Sequence, residues 1–236
     1  MNSEILLSGL RFGEGPRWRD GKLWFSDFYR HAVFTVDESG LETHIVDVPG
    51  QPSGLGWLPD GTLLIVSMTD RKLVRWDSGS LTDYADLSQI ATFHANDMVV
   101  DEHGRAYVGN FGFDLHQAML EREIPEILAD NSAGNTSLIR VDPDQSVHDA
   151  TDDVRFPNGM VFLNEGRTLV VAETLRLGLT AFDVAPDGAL SNRRIWASTA
   201  AQGVAPDGIC TDGEIIWAAS ALAPLVVGYR EGGEVA

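Results

Sequence analysis

Gly13-Glu14-Gly15-Pro16-Arg17-Trp18-Arg19-Asp20-Gly21-Lys22-Leu23-Trp24 carries the pattern on which the whole chain is built. A turn residue and a polar residue lead into a short apolar run. An Asp-Gly loop follows, and a second apolar run closes the unit. The same order returns at residues 52–64, 95–107, 157–169 and 206–217. The later copies open on Pro52-Ser53-Gly54, Ala95-Asn96-Asp97, Pro157-Asn158-Gly159 and Pro206-Asp207-Gly208. Corresponding positions are 15, 54, 97, 159 and 208, at intervals of 39, 43, 62 and 49 residues.

Between these signatures lie short runs rich in Val, Ile, Leu and aromatics, bounded by turn formers, which predict strands. In the first unit they fall at residues 5–12, 23–26, 32–37 and 41–48. Units of roughly 40–50 residues with about four strands describe the blade of a β-propeller. A β-sandwich also holds many short strands, but it gives no reason for one signature to recur five times. The reading is an all-β propeller forming a single domain over residues 1–236. One irregular region, residues 111–135, widens the third interval. His116 to Glu123 there predicts a turn or two of helix that Pro125 interrupts, and the region reads as an insert over the channel mouth. Residues 5–12 precede the first signature and are expected to complete the last blade. Only about 20 residues follow the fifth signature. A six-bladed ring therefore lacks most of its last blade, and its open strand edges favour self-association.

Hydrophobic residues make up 44% of the 236, enough for a sizeable core. Lys plus Arg number 17 against 35 Asp plus Glu, a net charge of -18. So acidic a surface repels nucleic-acid phosphates and anionic membranes, so neither is an expected partner. The single cysteine, Cys210, allows no intrachain disulfide and fits a reducing, cytoplasmic setting. Its apolar neighbour Ile209 predicts a buried structural thiol. The opening eight residues lack the basic and apolar regions of a signal peptide, and no apolar stretch reaches the ~20 residues that span a bilayer.

In a propeller the innermost strands line the central channel. Residues at one phase of the repeat then converge at one channel mouth. Here these are Glu14, Ser53, Asn96, Asp97, Asn158 and Asp207, all oxygen donors suited to a hard divalent cation. Asn158-Gly159 and Asp207-Gly208 also read as plain turns. Glu14 between two glycines, and the shared phase of the whole set, favour the site. His94 is either a substrate-facing donor or a satisfied structural histidine, and both remain open. Asn110 and Asp114 flank Phe111 and Phe113, either reaching over the channel mouth or forming a packed aromatic turn. The six tryptophans read as core. GxSxG, GxxxxGK(S/T) and HExxH are absent from the sequence.

Gly13-Glu14-Gly15-Pro16-Arg17-Trp18, Phe156-Pro157-Asn158-Gly159 and Ala205-Pro206-Asp207-Gly208, with Glu173-Thr174 and Glu231-Gly232-Gly233-Glu234, together resemble the senescence marker protein / gluconolactonase / luciferin-regenerating enzyme family. The resemblance runs in order along essentially the whole chain. It implies a six-bladed propeller with one divalent metal in the channel, Ca²⁺ first, with Zn²⁺, Mn²⁺ or Mg²⁺ as alternates. Carried over residue by residue, Glu14, Asn158 and Asp207 are the implied metal ligands and Asp207 the implied acid–base residue. Asn96 falls beside metal or substrate, and His94, Asn110 and Asp114 join it as candidate substrate contacts. Sugar lactonases of the family often carry arginine where His94 stands, which argues against an aldonolactone here. The implied activity is hydrolysis of a small lactone or ester by a metal-activated water. Two other readings stay open: a phosphotriesterase-like hydrolase, and a non-catalytic, metal-stabilised propeller that binds a ligand or protein.

Overall fold

Strand-forming runs cut every few residues by Asp-Gly-type turns can pair only with their neighbours, and the chain folds as a series of antiparallel meanders. The computed structural model describes residues 4–236. These residues form five sheets in chain order. The first holds β1 (Gly13–Arg19), β2 (Lys22–Asp27), β3 (Ala32–Asp37) and β4 (Glu42–Asp47). The second holds β5 (Pro52–Trp57), β6 (Leu63–Ser67), β7 (Lys72–Asp77) and β8 (Ser80–Asp86). The third holds β9 (Ala95–Val100), β10 (Ala106–Asn110), β11 (Asn135–Val141) and β12 (Val147–Arg155). The fourth holds β13 (Pro157–Leu163), β14 (Thr168–Glu173), β15 (Gly178–Val184) and β16 (Leu190–Ser198). The last has three strands, β17 (Pro206–Thr211), β18 (Ile216–Ser220) and β19 (Val226–Tyr229). The first strand of each sheet packs on the first strand of the next, so β1, β5, β9, β13 and β17 surround the axis.

The core lies between sheets. Leu55, Leu63 and Ile65 of the second sheet meet Val33 of the first. Leu64, Val66 and Leu73 meet Met98, Val108 and Ile139 of the third. Tyr107 and Leu138 meet Met160, Leu169 and Val171 of the fourth. Val170 and Leu179 meet Ile209, Ile216 and Tyr229 of the fifth. Each such aliphatic side chain, fully buried, contributes roughly 1.5–3 kcal/mol of hydrophobic stabilisation. Each of these four blade interfaces is thereby sealed by its own apolar seam.

The propeller is as expected, but it has five blades, not six with an incomplete last one. Residues 4–12 form no strand and pair with no last blade. They lie along the first sheet. Leu7 packs beside Phe25, Phe34 and Val36, and the Arg11 and Phe12 amides donate to the Asp27 carboxylate at 2.8 and 3.0 Å. Buried Asp27, at the end of β2, thus ties this segment to the first blade. The outer side of the last sheet is finished by a turn, in which Tyr229 bridges Val235 and the Gly232 amide donates to the Trp196 carbonyl on β16. Met1, Asn2 and Ser3 of the opening stretch lie outside the described residues.

Two further expectations are corrected. Pro125 does not interrupt a helix. It sits in the first turn of a second one, where its missing N–H costs no bond. The insert is therefore a helix pair, α1 (Leu115–Glu121) and α2 (Ile124–Ala129). Cys210 is exposed rather than buried, because alternation along β17 turns Ile209 into the seam and Cys210 away from it. No helix among the described residues is long and apolar enough to cross a membrane.

Candidate functional site

All five innermost strands break register with the second strand of their blade at the same phase. The slips fall between Glu14 and Arg17, Pro52 and Leu55, Pro157 and Met160, and Pro206 and Ile209, and in the third blade opposite Val108 and Asn110. Such bulges twist a strand and re-aim its side chains. Glycines at this phase let neighbouring strands come close. A Cβ on Gly15, whose φ is 52°, would stand 2.7 Å from the Ser53 carbonyl oxygen, and one on Gly159 would stand 2.5 Å from the Ile209 nitrogen. The bulges and glycines together bring Glu14, Ser53, Asn96, Asn158 and Asp207 to the floor of one cavity of about 370 Å³.

The floor is short of hydrogen bonds. Asn158 donates its Nδ2 to Thr174 Oγ1 at 3.3 Å, and Thr174 donates in turn to the Pro206 carbonyl at 2.7 Å. Asn158 Oδ1 and Ser53 Oγ are both buried and have no partner. Orphaned buried polar atoms are uncommon enough to call for an occupant or a function. Asn96 is held by donation to the Pro157 carbonyl at 3.1 Å. Beside them stand three carboxylates. Asp97 is buried and accepts from Arg17 and from the Met98 amide, both at 2.8 Å. Glu14 and Asp207 are half-buried and face the cavity. Burial, then the charges of Asp207 and Asp97, pushes the Glu14 carboxyl up to about 8. Burial and Asp97 push Asp207 up to about 6, against an opposing pull from the Asn158 amide. Arg17 offsets only one of the three carboxylates, so the floor keeps an excess of negative charge. No three His, Cys, Asp or Glu side chains gather as a ready cage among the described residues. The donor set is instead two carboxylates, an amide oxygen and a hydroxyl, which fits a hard cation that keeps some of its waters.

Three other candidates do not line the cavity. Asn110 ends β10, one strand outward from the channel. Its Nδ2 donates to the Ser137 carbonyl at 2.9 Å, and its Oδ1 accepts from Thr136 and the Gly112 amide. Asp114 is exposed and caps α1 by accepting from the Gln117 amide at 2.9 Å. His94 stacks on Phe93 at 4.2 Å and meets the edge of Phe111 at 5.8 Å, and burial lowers its pKa. Each is engaged elsewhere. Arg17 and Thr174 are not foreseen by the repeat pattern. Arg17 lies inside the opening signature, but nothing local says that it crosses from the first blade to Asp97 of the third. A larger cleft, about 570 Å³, opens at the far end of β9. Its Arg105 is already satisfied by Asp101 and the Pro186 carbonyl, and its lining gathers no orphaned polar atom.

A family model described as "SMP-30/Gluconolactonase/LRE-like region" matches residues 12–236. Regucalcin from Gallus gallus is 26% identical over 208 residues, covering 86% of this chain and 66% of that protein. The chain thus spans about two thirds of the length of such curated relatives. A solved gluconolactonase from Xanthomonas campestris superposes with a TM-score of 0.75 at 24% identity, covering 98% of this chain and 76% of that one. A calcium-binding regucalcin from Agrobacterium tumefaciens gives 0.76 at 21% identity, covering 97% and 74%. At these identities the two solved structures establish likeness of fold.

Proposed function

We propose, from the premise that this chain belongs to the SMP-30/gluconolactonase/LRE-like family, that it is a hydrolase opening a lactone at the polar floor of its channel. One observation carries the reading. Asn158 Oδ1 is orphaned and buried on the same floor as two carboxylates held above their ordinary pKa values. Glu14, Asn158 and Asp207 are the proposed ligands of a divalent cation, Ca²⁺ first, as the calcium-binding description of the Agrobacterium relative suggests. Such a cation, when bound, supplies Lewis acidity toward a carbonyl oxygen and a more acidic water.

The chain's own groups do the rest. Asp207 takes a proton from the attacking water at a carboxylate oxygen and returns it to the departing alkoxide as the ring C–O bond breaks. Water oxygen joins the acyl carbon, and the products are the hydroxyl and carboxyl ends of one opened chain. Asp97 keeps Asp207 basic by its charge, while Arg17 holds Asp97 in place. Thr174 sets the Asn158 amide so that its oxygen, not its nitrogen, is left for the site. Asn96 is the proposed substrate contact, since it lines the cavity and His94, Asn110 and Asp114 do not. With a single cysteine and no intrachain disulfide, we place the protein in a reducing, cytoplasmic setting.

Acid release from γ- and δ-lactones, after chelation and with Ca²⁺, Mn²⁺, Zn²⁺ or Mg²⁺ restored singly, tests the reading. Turnover should return with metal. Asp207→Asn should lower kcat by roughly 10²–10⁴, the range of a lost general acid–base. Turnover of phosphotriesters alone, or of nothing by folded, metal-loaded protein, would rule the lactonase reading out.

A further inference from the structure

We infer that the substrate carries an alkyl or aryl substituent rather than a polyol. This rests on the lactone reading above, in that the ester carbonyl is taken to sit at the polar floor. The cavity changes character as soon as it leaves that floor. One wall is Phe12 and Phe28 from the first blade and its leading segment, with ring centroids 4.5 Å apart. The facing wall is Phe111 and Phe156, at 4.6 Å. The helix pair closes over them with Leu115, Met119 and Ile124. Away from the floor the lining holds two polar side chains, Tyr29 and His116, and both are exposed at the rim.

The chemistry of these walls selects. A ring bearing a hydroxyl on each carbon would press most of those hydroxyls against phenyl faces. Each hydroxyl would lose its water and gain no partner, a loss that specific binding rarely bears. The unpartnered groups, Ser53 Oγ and Asn158 Oδ1, lie with the carboxylates at the floor, and substituents extending away from it meet phenyl and aliphatic walls. An alkyl chain or phenyl ring in the same place loses nothing and is sheltered from water. The mouth carries the same signature on the outside. Tyr29 is 60% exposed, Met119 52% and Leu222 47%. Large apolar side chains gathered at one opening mark a binding surface. A volume of about 370 Å³ lies in the usual range for a small-molecule site.

The test is a γ-lactone series with side chains from none to heptyl, beside a polyhydroxylated δ-lactone, on metal-loaded protein. We expect kcat/KM to rise roughly threefold to fourfold per methylene, the factor for moving a methylene out of water. The long-chain members should exceed the polyhydroxylated lactone by at least 100-fold. In parallel, γ-alkyl lactams, which are not hydrolysed, are titrated calorimetrically into chelated and metal-loaded protein, and Kd should tighten along the same series. Met119→Asp, on an exposed helical position, should flatten both slopes. Turnover without dependence on chain length, or with the polyhydroxylated lactone preferred, overturns this inference and leaves the hydrolase reading standing. Lactams that bind with the slope, while no lactone turns over, end the hydrolase reading and support the apolar ligand. Lactams that bind without a slope overturn the inference whatever the turnover.

Discussion

Asn158 belongs to a turn by its sequence and to a site by its surroundings. Its Nδ2 is used by Thr174, and its Oδ1 is buried with nothing to accept. Glu14 and Asp207 pose the same problem in charge. Their carboxyls stand at about 8 and about 6, above ordinary values of 4.5 and 3.8, because burial and neighbouring carboxylates disfavour the anions. A carboxyl whose pKa is raised by folding binds its proton more tightly folded than unfolded. Stability in chelator is then full below about pH 4 and falls as pH rises toward 8. Urea unfolding of chelated protein at intervals from pH 4 to 8 should show that fall. Glu14→Gln should be the more stable protein at pH 8 in chelator. A divalent cation should reverse the order by stabilising the parent alone. Stability that rises with pH across this window would contradict the crowding of the carboxylates. A residue that weakens the empty fold for the sake of a ligand is a common trade at functional sites.

At the scale of the element, the helix pair shows how a loop becomes a wall. Asp114 caps α1, Pro125 lies in the first turn of α2, and Ala118 and Ile127 are buried against Phe156 and Leu175. What ties the pair down is Arg155, 4% exposed at the end of β12. Its Nε donates to the Ala133 carbonyl at 3.0 Å, and its terminal nitrogen donates to the carbonyls of Ile127, Leu128 and Asp130 at 2.7–3.0 Å. These carbonyls end a short helix, so the guanidinium also meets the negative end of its dipole. Arg155→Met keeps the bulk and leaves the carbonyls bare. It should cost about 2–4 kcal/mol of stability and speed proteolytic nicking between residues 115 and 133. Divalent-cation affinity should stay unchanged, because the proposed ligands Glu14, Asn158 and Asp207 lie on β1, β13 and β17. Unchanged nicking would mean that apolar packing alone holds the helices.

The whole molecule is a ring of unequal joints. β5, β9, β13 and their neighbours pack closely along the axis, whereas β17 touches β1 at few positions. The last sheet has three strands, and Val226 on β19 is 66% exposed. Fewer buried contacts and less backbone cover lower the local free energy of opening. Hydrogen exchange should therefore be roughly tenfold or more faster in β17–β19 than in β13–β15 at pH 7. Equal protection would show a ring that is closed and cooperative throughout. Because Asp207 opens β17, the same looseness bears on the site, and substrate or cation should slow exchange there most.

By itself the sequence determined the repeat, and with it the fold class. Turn chemistry and strand-length apolar runs act locally, so five copies of one signature foretell five meanders wherever they finally sit. The shared phase of Glu14, Asn158 and Asp207 was legible for the same reason, since equivalent positions in a ring of blades meet at its axis. Nearness to that phase in the third unit also drew in Asn110, Asp114 and His94, which the tertiary structure uses for a strand tie, a helix cap and an aromatic stack. Only the folded chain decided where residues 4–12 go, because that depends on the buried Asp27 carboxylate accepting from the Arg11 and Phe12 amides and holding them at the first sheet. It alone decided the walls of the pocket as well. Phe12, Phe111, Phe156 and Met119 are ordinary apolar residues in the sequence, and their common purpose comes from contacts between segments that lie far apart along the chain.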